Sequence, residues 1–393
     1  MPGEEKPYRV YRAGRSRPRR LRPFSASLRR ERSARRRRAS PPLPSPARPR
    51  SRRRLLLRAA GIAVALFLLW LAAWALAGYF AFREGVAKAN DRLPEAVRRQ
   101  LASGGGLPLT TAKTILLLGT DSGPGRRGLR HSDSIMLLRT DPDHHRIAYL
   151  SIPRDLRVEI PGYGVDKINV AYQAGGPALA VRTVRRLTGL PIDHVVLVDF
   201  SRFRELIDTV GGIDVDVPAP IASDRFDCPL KTREACARWP GWRFAKGKQH
   251  MDGRRALVYT RIRVNRLNPA DNDLTRAERQ QQVVQALAAK LASVGTFLDL
   301  PFVGDNLLAP LATDLSPGDL LQLGWVYWRA DAGRALHCRL GGQPEGGYIV
   351  SEVDRNLAVI SMFKGDSAIQ PPPPGSGTFG PGCVEGRRTL GAR

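Results

Sequence analysis

Residues 114–155 read TILLLGTDSGPGRRGLRHSDSIMLLRTDPDHHRIAYLSIPRD, and the architecture follows from them. Three short runs rich in aliphatic residues, Thr114–Leu118, Ser134–Leu138 and Arg146–Ile152, are each bounded by Gly, Pro, Asp or Ser, the pattern of strands. The second and third are joined by Thr140-Asp141-Pro142-Asp143, a turn in which Pro presets φ and Asp bonds its own backbone. If the three strands pair antiparallel, Asp121, Asp133 and Arg154 fall on one edge of the sheet. Neighbouring strands lie about 4.8 Å apart. Two carboxylates and a guanidinium then converge on one small anionic ligand and a cation.

Outward from this stretch the chain alternates strands with helices. Gly176–Leu187 has helical spacing and stops at Gly189, a C-cap residue. His194–Val198 reads as a buried strand, Arg202–Val210 as an amphipathic helix and Ile213–Val217 as another strand. The fold class expected is a layered α/β (α+β) domain with a mixed central β-sheet flanked by helices. Ala256–Arg263 (ALVYTRIR), if extended, places Arg261 and Arg263 on one face. Residues 273–292 read as a long helix with Thr275 and Glu278 in capping-box spacing. Its apolar stripe turns into Arg276 and Gln280 in the first two turns, beside N–H groups that favour an anion.

The charge is lopsided. Residues 1–58 carry 21 Lys or Arg against three acidic residues, a net +18 of the chain's +27. The first 54 residues are rich in Arg, Pro and Ser and lack a core pattern, so they read as a disordered basic tail. Such a tail suggests nucleic acid until the next segment is read. Ala59–Phe82 is 24 residues without a charge. At 1.5 Å per residue that is roughly 36 Å, enough to cross a hydrocarbon layer of about 30 Å. The Arg excess before the span orients the N-terminus to the cytoplasm and the rest outside the cell membrane, with no nucleic-acid partner expected. All four cysteines follow the span, where a disulfide can persist. The pairs expected are Cys228–Cys236, closing a short basic loop, and Cys338–Cys383, pinning the Pro-rich tail.

The organisation expected is a tail (1–54), a transmembrane helix (55–82) and a juxtamembrane linker (83–106). A catalytic domain (107–300), a C-terminal extension packing on it (301–370) and a Pro/Gly-rich tail (371–393) follow. The polar inventory suits phosphate. Asp121 and Asp133 are hard oxygen donors of the kind Mg²⁺ takes. Arg154, Arg261, Arg263 and Arg276 carry planar forks that match phosphate oxygens. There is no GxSxG, HExxH or Walker A motif, so acyl transfer, zinc hydrolysis and nucleotide use lack a signature.

GTDS at 119–122, SDSIMLL at 132–138, SIPRD at 151–155, IPGYGVDKINVAY at 160–172 and GG at 175–176 resemble the core motifs of the LytR-CpsA-Psr family. VDF at 198–200, VGGIDVDVP at 210–218, YTRIR at 259–263 and DLTRAERQQQ at 273–282 are similar to its later ones. The resemblance implies a phosphotransferase that moves a glycopolymer from a polyprenyl-pyrophosphate carrier to a hydroxyl of peptidoglycan or another wall acceptor. It implies Mg²⁺ as cofactor, with Mn²⁺ as the alternative, held by Asp121 and Asp133. It implies a pyrophosphate head-group set of Arg154, Arg261, Arg263, Arg276 and Gln280, and catalytic roles for Asp121, Asp133, Arg154 and Arg276. The family carries Arg two residues before the second aspartate; this chain has His131 there, with Arg130 beside it, and either takes the role. The resemblance also implies an apolar lipid tunnel. Asp155 is read as orienting Arg154 or acting as a base, and Lys167 and Asn169 as supports of the site. Two other classes share these residues: a polyprenyl-pyrophosphate hydrolase and a non-catalytic surface regulatory module.

Overall fold

The computed structural model describes residues 50–102, 104–120, 132–268, 273–308, 310–366 and 380–386. Helix α1 (Arg50–Asp91) contains the apolar span. Among the described residues it is the single helix long and apolar enough by itself to cross a membrane, with a mean hydropathy of 2.3 in an 18-residue window that is wholly exposed. The helix does not stop at the expected boundary. It runs on to Asp91, and its last turns bury Phe82, Val86 and Ala89. The juxtamembrane segment, read as helix and linker over residues 84–106, begins as these packed last turns of α1.

In chain order, β1 (Thr114–Thr120), β2 (Ser132–Asp141) and β3 (Arg146–Ile152) are followed by a hairpin of β4 (Arg157–Ile160) and β5 (Gly164–Lys167). Helix α2 (Val170–Thr188) leads to β6 (His194–Asp199), α3 (Phe200–Thr209) and β7 (Ile213–Val217). Strand β8 (Gly247–Met251), α4 (Gly253–Arg261), α5 (Asp273–Leu291) and α6 (Val294–Leu307) come next. Then follow β9 (Ala312–Thr313), α7 (Pro317–Arg329), β10 (Leu336–Arg339), α8 (Val353–Lys364) and β11 (Gly382–Glu385).

The seven-stranded sheet has the order β9-β6-β1-β2-β3-β10-β11. β1, β2 and β3 pair antiparallel, as their turns require. β6 lies parallel to β1 and β10 parallel to β3, so the sheet is mixed. Period-two alternation sorts the strands into two apolar faces. Leu116, Leu118, Ile135, Leu137 and Leu150 pack on α2 and α8 through Leu179, Val181, Val184, Val359 and Phe363. Leu117, Met136, Leu138 and Val196 on the opposite face line a cavity.

Strands from beyond residue 300 complete this sheet: β9, β10 and β11 are members of it rather than additions to its surface. Both disulfides join the expected partners, Cys228 to Cys236 and Cys338 to Cys383, the latter bridging β10 and β11. Ile213–Val217 is a strand, but it pairs with β8 outside the large sheet. The stretch Ala256–Arg263 is not extended. Asp252 accepts a hydrogen bond from the Arg255 N–H at 2.7 Å, caps α4, and the apolar run continues as helix to Arg261.

Candidate active site

The edge of the sheet at the end of β1 carries the site. Gly119 pairs with Ser134 and Thr120 with Ser132, so an irregularity in β2 falls at Asp133, whose backbone belongs to the strand. Asp121, Arg130 and His131 lie in the connection from 121 to 131, outside the described residues. That connection begins and ends at adjacent strand positions, Thr120 and Ser132.

Across β2 from this edge, β3 delivers Pro153, Arg154 and Asp155. Asp155 accepts from the Lys167 ammonium at 3.0 Å and from Arg154 Nε at 3.3 Å. Burial pushes the Asp155 carboxyl up, but the Lys167 hydrogen bond and the charges of Arg154 and Lys167 outweigh it and hold the group below the ordinary carboxylate range. A carboxylate gripped by two cations is a poor base. It fixes the Arg154 guanidinium instead. The backbone N–H of Asn169 donates to the Arg154 carbonyl at 3.2 Å, so β4, β5 and the start of α2 frame this arginine from below.

Arg154, Arg276 and Gln280 line one small cleft of about 40 Å³, together with Ser134, Asp155 and Arg339. Three arginines and one aspartate are among the residues lining the cleft, a lining whose chemistry suits an anion. The other two expected arginines are placed differently. Arg261, at the end of α4, pairs with Asp227 and lies 5.3 Å over the Phe200 ring. Arg263 is exposed beyond the buried Ile262, and neither lines the cleft.

Beside the cleft lies an apolar cavity of about 620 Å³ between the sheet and helices α5, α6 and α7. Its volume is in the range of pockets that take a sizeable organic ligand. Ser134 and Gln280 line both spaces, and the Ser134 hydroxyl donates to Gln280 Oε1 at 3.1 Å. One polar pair thus separates a cationic compartment from a greasy one.

Arg339 is a site residue that the sequence did not reveal. It is 4% exposed, its Nε donates to the Gly380 carbonyl at 2.7 Å, and its Nη1 lies 4.0 Å from Glu278 Oε1. Every residue of β10 is buried, so no alternation singles out the arginine. Behind the cleft, Gln281 donates to Ser151 Oγ at 2.8 Å and pairs with His337 at 3.0 Å, and His337 stacks on Tyr149. Among the described residues no three His, Cys, Asp or Glu gather to hold a metal.

The model of the LytR_cpsA_psr family matches residues 84–342, about two thirds of the chain. The chain belongs to the LytR-CpsA-Psr family. A polyisoprenyl-teichoic acid–peptidoglycan teichoic acid transferase, TagU of Enterococcus faecalis, is 32% identical over 263 residues, covering 65% of this chain and 79% of that protein. TagU of Bacillus cereus is 34% identical over 235 residues, covering 58% and 69%. Among solved structures, TagT bound to LIIa-WTA is 25% identical with a TM-score of 0.52, covering 68% of this chain and 95% of that one. LytR-CpsA-Psr membership and this fold agree with the mixed sheet and flanking helices described above.

Proposed function

We propose that the chain is a membrane-anchored phosphotransferase that moves a glycopolymer from a polyprenyl-pyrophosphate carrier onto a hydroxyl of peptidoglycan or another wall acceptor. One observation carries the reading: the cationic cleft and the apolar cavity share Ser134 and Gln280. A ligand with a diphosphate head and a long prenyl tail matches both compartments at once. The transferase names of the relatives support the same reading.

Arg154 and Arg276 take phosphate oxygens, with Asp155 and Lys167 holding Arg154 in place. Gln280 and Ser134 sit where head meets tail. The acceptor oxygen attacks the sugar-linked phosphorus, forming a new P–O bond, and the bond to the lipid-side bridging oxygen breaks. Polyprenyl monophosphate leaves, and the hydroxyl proton passes to solvent. Guanidinium groups fixed in a site of low dielectric stabilise the developing negative charge. Asp121 and Asp133 would hold Mg²⁺, which supplies further charge neutralisation at the diphosphate. The N-terminus lies in the cytoplasm and the domain beyond α1 outside it, a reading supported by the basic excess before the span.

The test incubates the full-length chain in liposomes with polyprenyl-pyrophosphate oligosaccharide, Mg²⁺ and peptidoglycan fragments. Joined product is expected, lost in Asp133→Ala and in Val198→Trp, whose indole fills the cavity. Release of free phosphate without joining identifies a hydrolase, and no turnover a binding module.

A further inference from the structure

Helix α6 exposes a run of large apolar side chains that the domain does not cover: Val294 is 74% exposed and Phe302 78%, with Phe297 and Leu298 between them. On α7, Leu321, Trp325 and Trp328 are likewise exposed. A soluble surface does not ordinarily keep so many large apolar groups together. Their place relative to α1 indicates what covers them.

Helix α6 runs beside α1 in the same direction. Trp74 meets Phe297 edge-on at 5.6 Å between ring centroids, Gly78 faces Leu300 and Pro301, and Lys88 pairs with Asp305 at 3.6 Å. The two helices touch through glycines. A Cβ on Gly85 would collide with the Gly304 carbonyl, and one on Gly304 would lie 2.8 Å from the Phe82 nitrogen. Arg58 is the last charge before the span. A hydrocarbon layer of about 30 Å takes roughly 20 residues of helix, which puts its outer boundary near Gly78. Phe297, packed on Trp74, then lies about 6 Å inside that boundary, four residues at 1.5 Å each. Leu300 and Pro301, which face Gly78, fall at the boundary itself, with Asp299 about 3 Å below it. Helices α5 and α6 meet at a 78° bend around Ala292 and Ser293, and the pair is apolar enough to count as a broken span or re-entrant turn.

We infer that the α5–α6 bend and the exposed face of α6 dip into the outer leaflet, so that the occupant of this surface is the acyl layer of the bilayer. The inference rests on α1 being a membrane span and not on the transferase reading. Amphipathic elements settle about 5–10 Å into the boundary of headgroups and acyl chains, the depth found here. Val294, Phe297, Trp325 and Trp328 also line the apolar cavity. These exposed lining residues of α6 and α7 then meet the leaflet, so an apolar chain passes from lipid into the cavity without crossing water.

Full-length chain in phosphatidylglycerol/phosphatidylethanolamine liposomes tests this with nitroxides on Leu298→Cys, Phe302→Cys and Tyr163→Cys. The last marks the exposed β4–β5 turn, and the native cysteines are all paired. Leu298 and Phe302 are not cavity-lining, so their labels report on the surface. Collisions with oxygen are expected to exceed those with a water-soluble nickel complex several-fold at 298, with that site about 6 Å deeper than 302 and the reverse preference at 163. A water-like label at 298 overturns the inference. So does a label at 298 shielded from both reagents with dipolar broadening, which would mean a second copy of the chain covers the face. Should Leu298→Cys fail to fold, Phe302→Trp supplies a second reading: its added emission is quenched by phospholipid brominated near the top of the chain, and unquenched emission overturns the inference.

Discussion

The Lys167 ammonium sits 3.0 Å from Asp155 Oδ1 while Arg154 holds the other oxygen of the same carboxylate. The carboxylate therefore serves the arginine and is not left to take a proton. Asp155→Asn should keep the fold and lower transfer roughly 10- to 100-fold, since a hydrogen bond to a charged group contributes about 1.5–3 kcal/mol. The loss should fall on substrate binding as well as turnover. A general base would instead remove turnover alone and shift the acid limb of the rate–pH profile.

Arg339 and Glu278 are both nearly sealed from solvent. Arg339→Met leaves Glu278 without its guanidinium neighbour, and breaking a buried pair costs about 3–5 kcal/mol. Arg339→Met with Glu278→Gln should recover a large part of that loss. Chemical denaturation of the four proteins of the cycle reads the difference, and additive losses would mean that the pair does not act as one.

His337 is 1% exposed, and burial pushes its imidazole down to about 4 against the opposing hydrogen bond with the Gly386 backbone. The unfolded imidazole binds a proton near pH 6.5. Between about pH 6.5 and 4 the unfolded chain takes up a proton that the folded one refuses, so stability falls as pH falls through this window and is complete above it. The loss by pH 4 is about 3 kcal/mol. His337→Gln should flatten that part of the stability–pH curve.

Cys338 and Cys383 tie two adjacent strands of the large sheet across a separation of 45 residues. Loop-closure entropy for that length gives about 4 kcal/mol. Reduction, or Cys383→Ser with Cys338→Ser, should lower the thermal midpoint. Because β10 carries Arg339 into the cleft, transfer should fall along with it.

What was readable in the chain divides along physical lines. Leu116, Leu137 and Leu150 announce strands because both faces of the sheet are covered, which leaves continuous apolar runs between turn residues. The cysteine pairs were readable from the segments they close. Ala256–Arg263 misled because Val258, Tyr259 and Thr260 favour strands, whereas the Asp252 cap and burial against α3 and α5 make the segment helical. That change takes Arg261 and Arg263 off a shared strand face. Arg154, Arg276 and Gln280 do meet, since the strand end and the first turns of α5 were read correctly. Arg339 stayed hidden because its partners, Gly380 and Glu278, are far away in sequence and follow no period.

Strand β10 lies against β3, pairing Leu336 with Ala148 across 188 residues. A ribosome adding about 5–20 residues per second takes roughly ten to forty seconds to cover that distance. During that interval β3 presents an unmatched edge, the kind that recruits foreign strands. Maturation of this enzyme is thus paced by its own tail: shortening the chain before residue 336 would leave the sheet permanently open, whatever happens at the cleft.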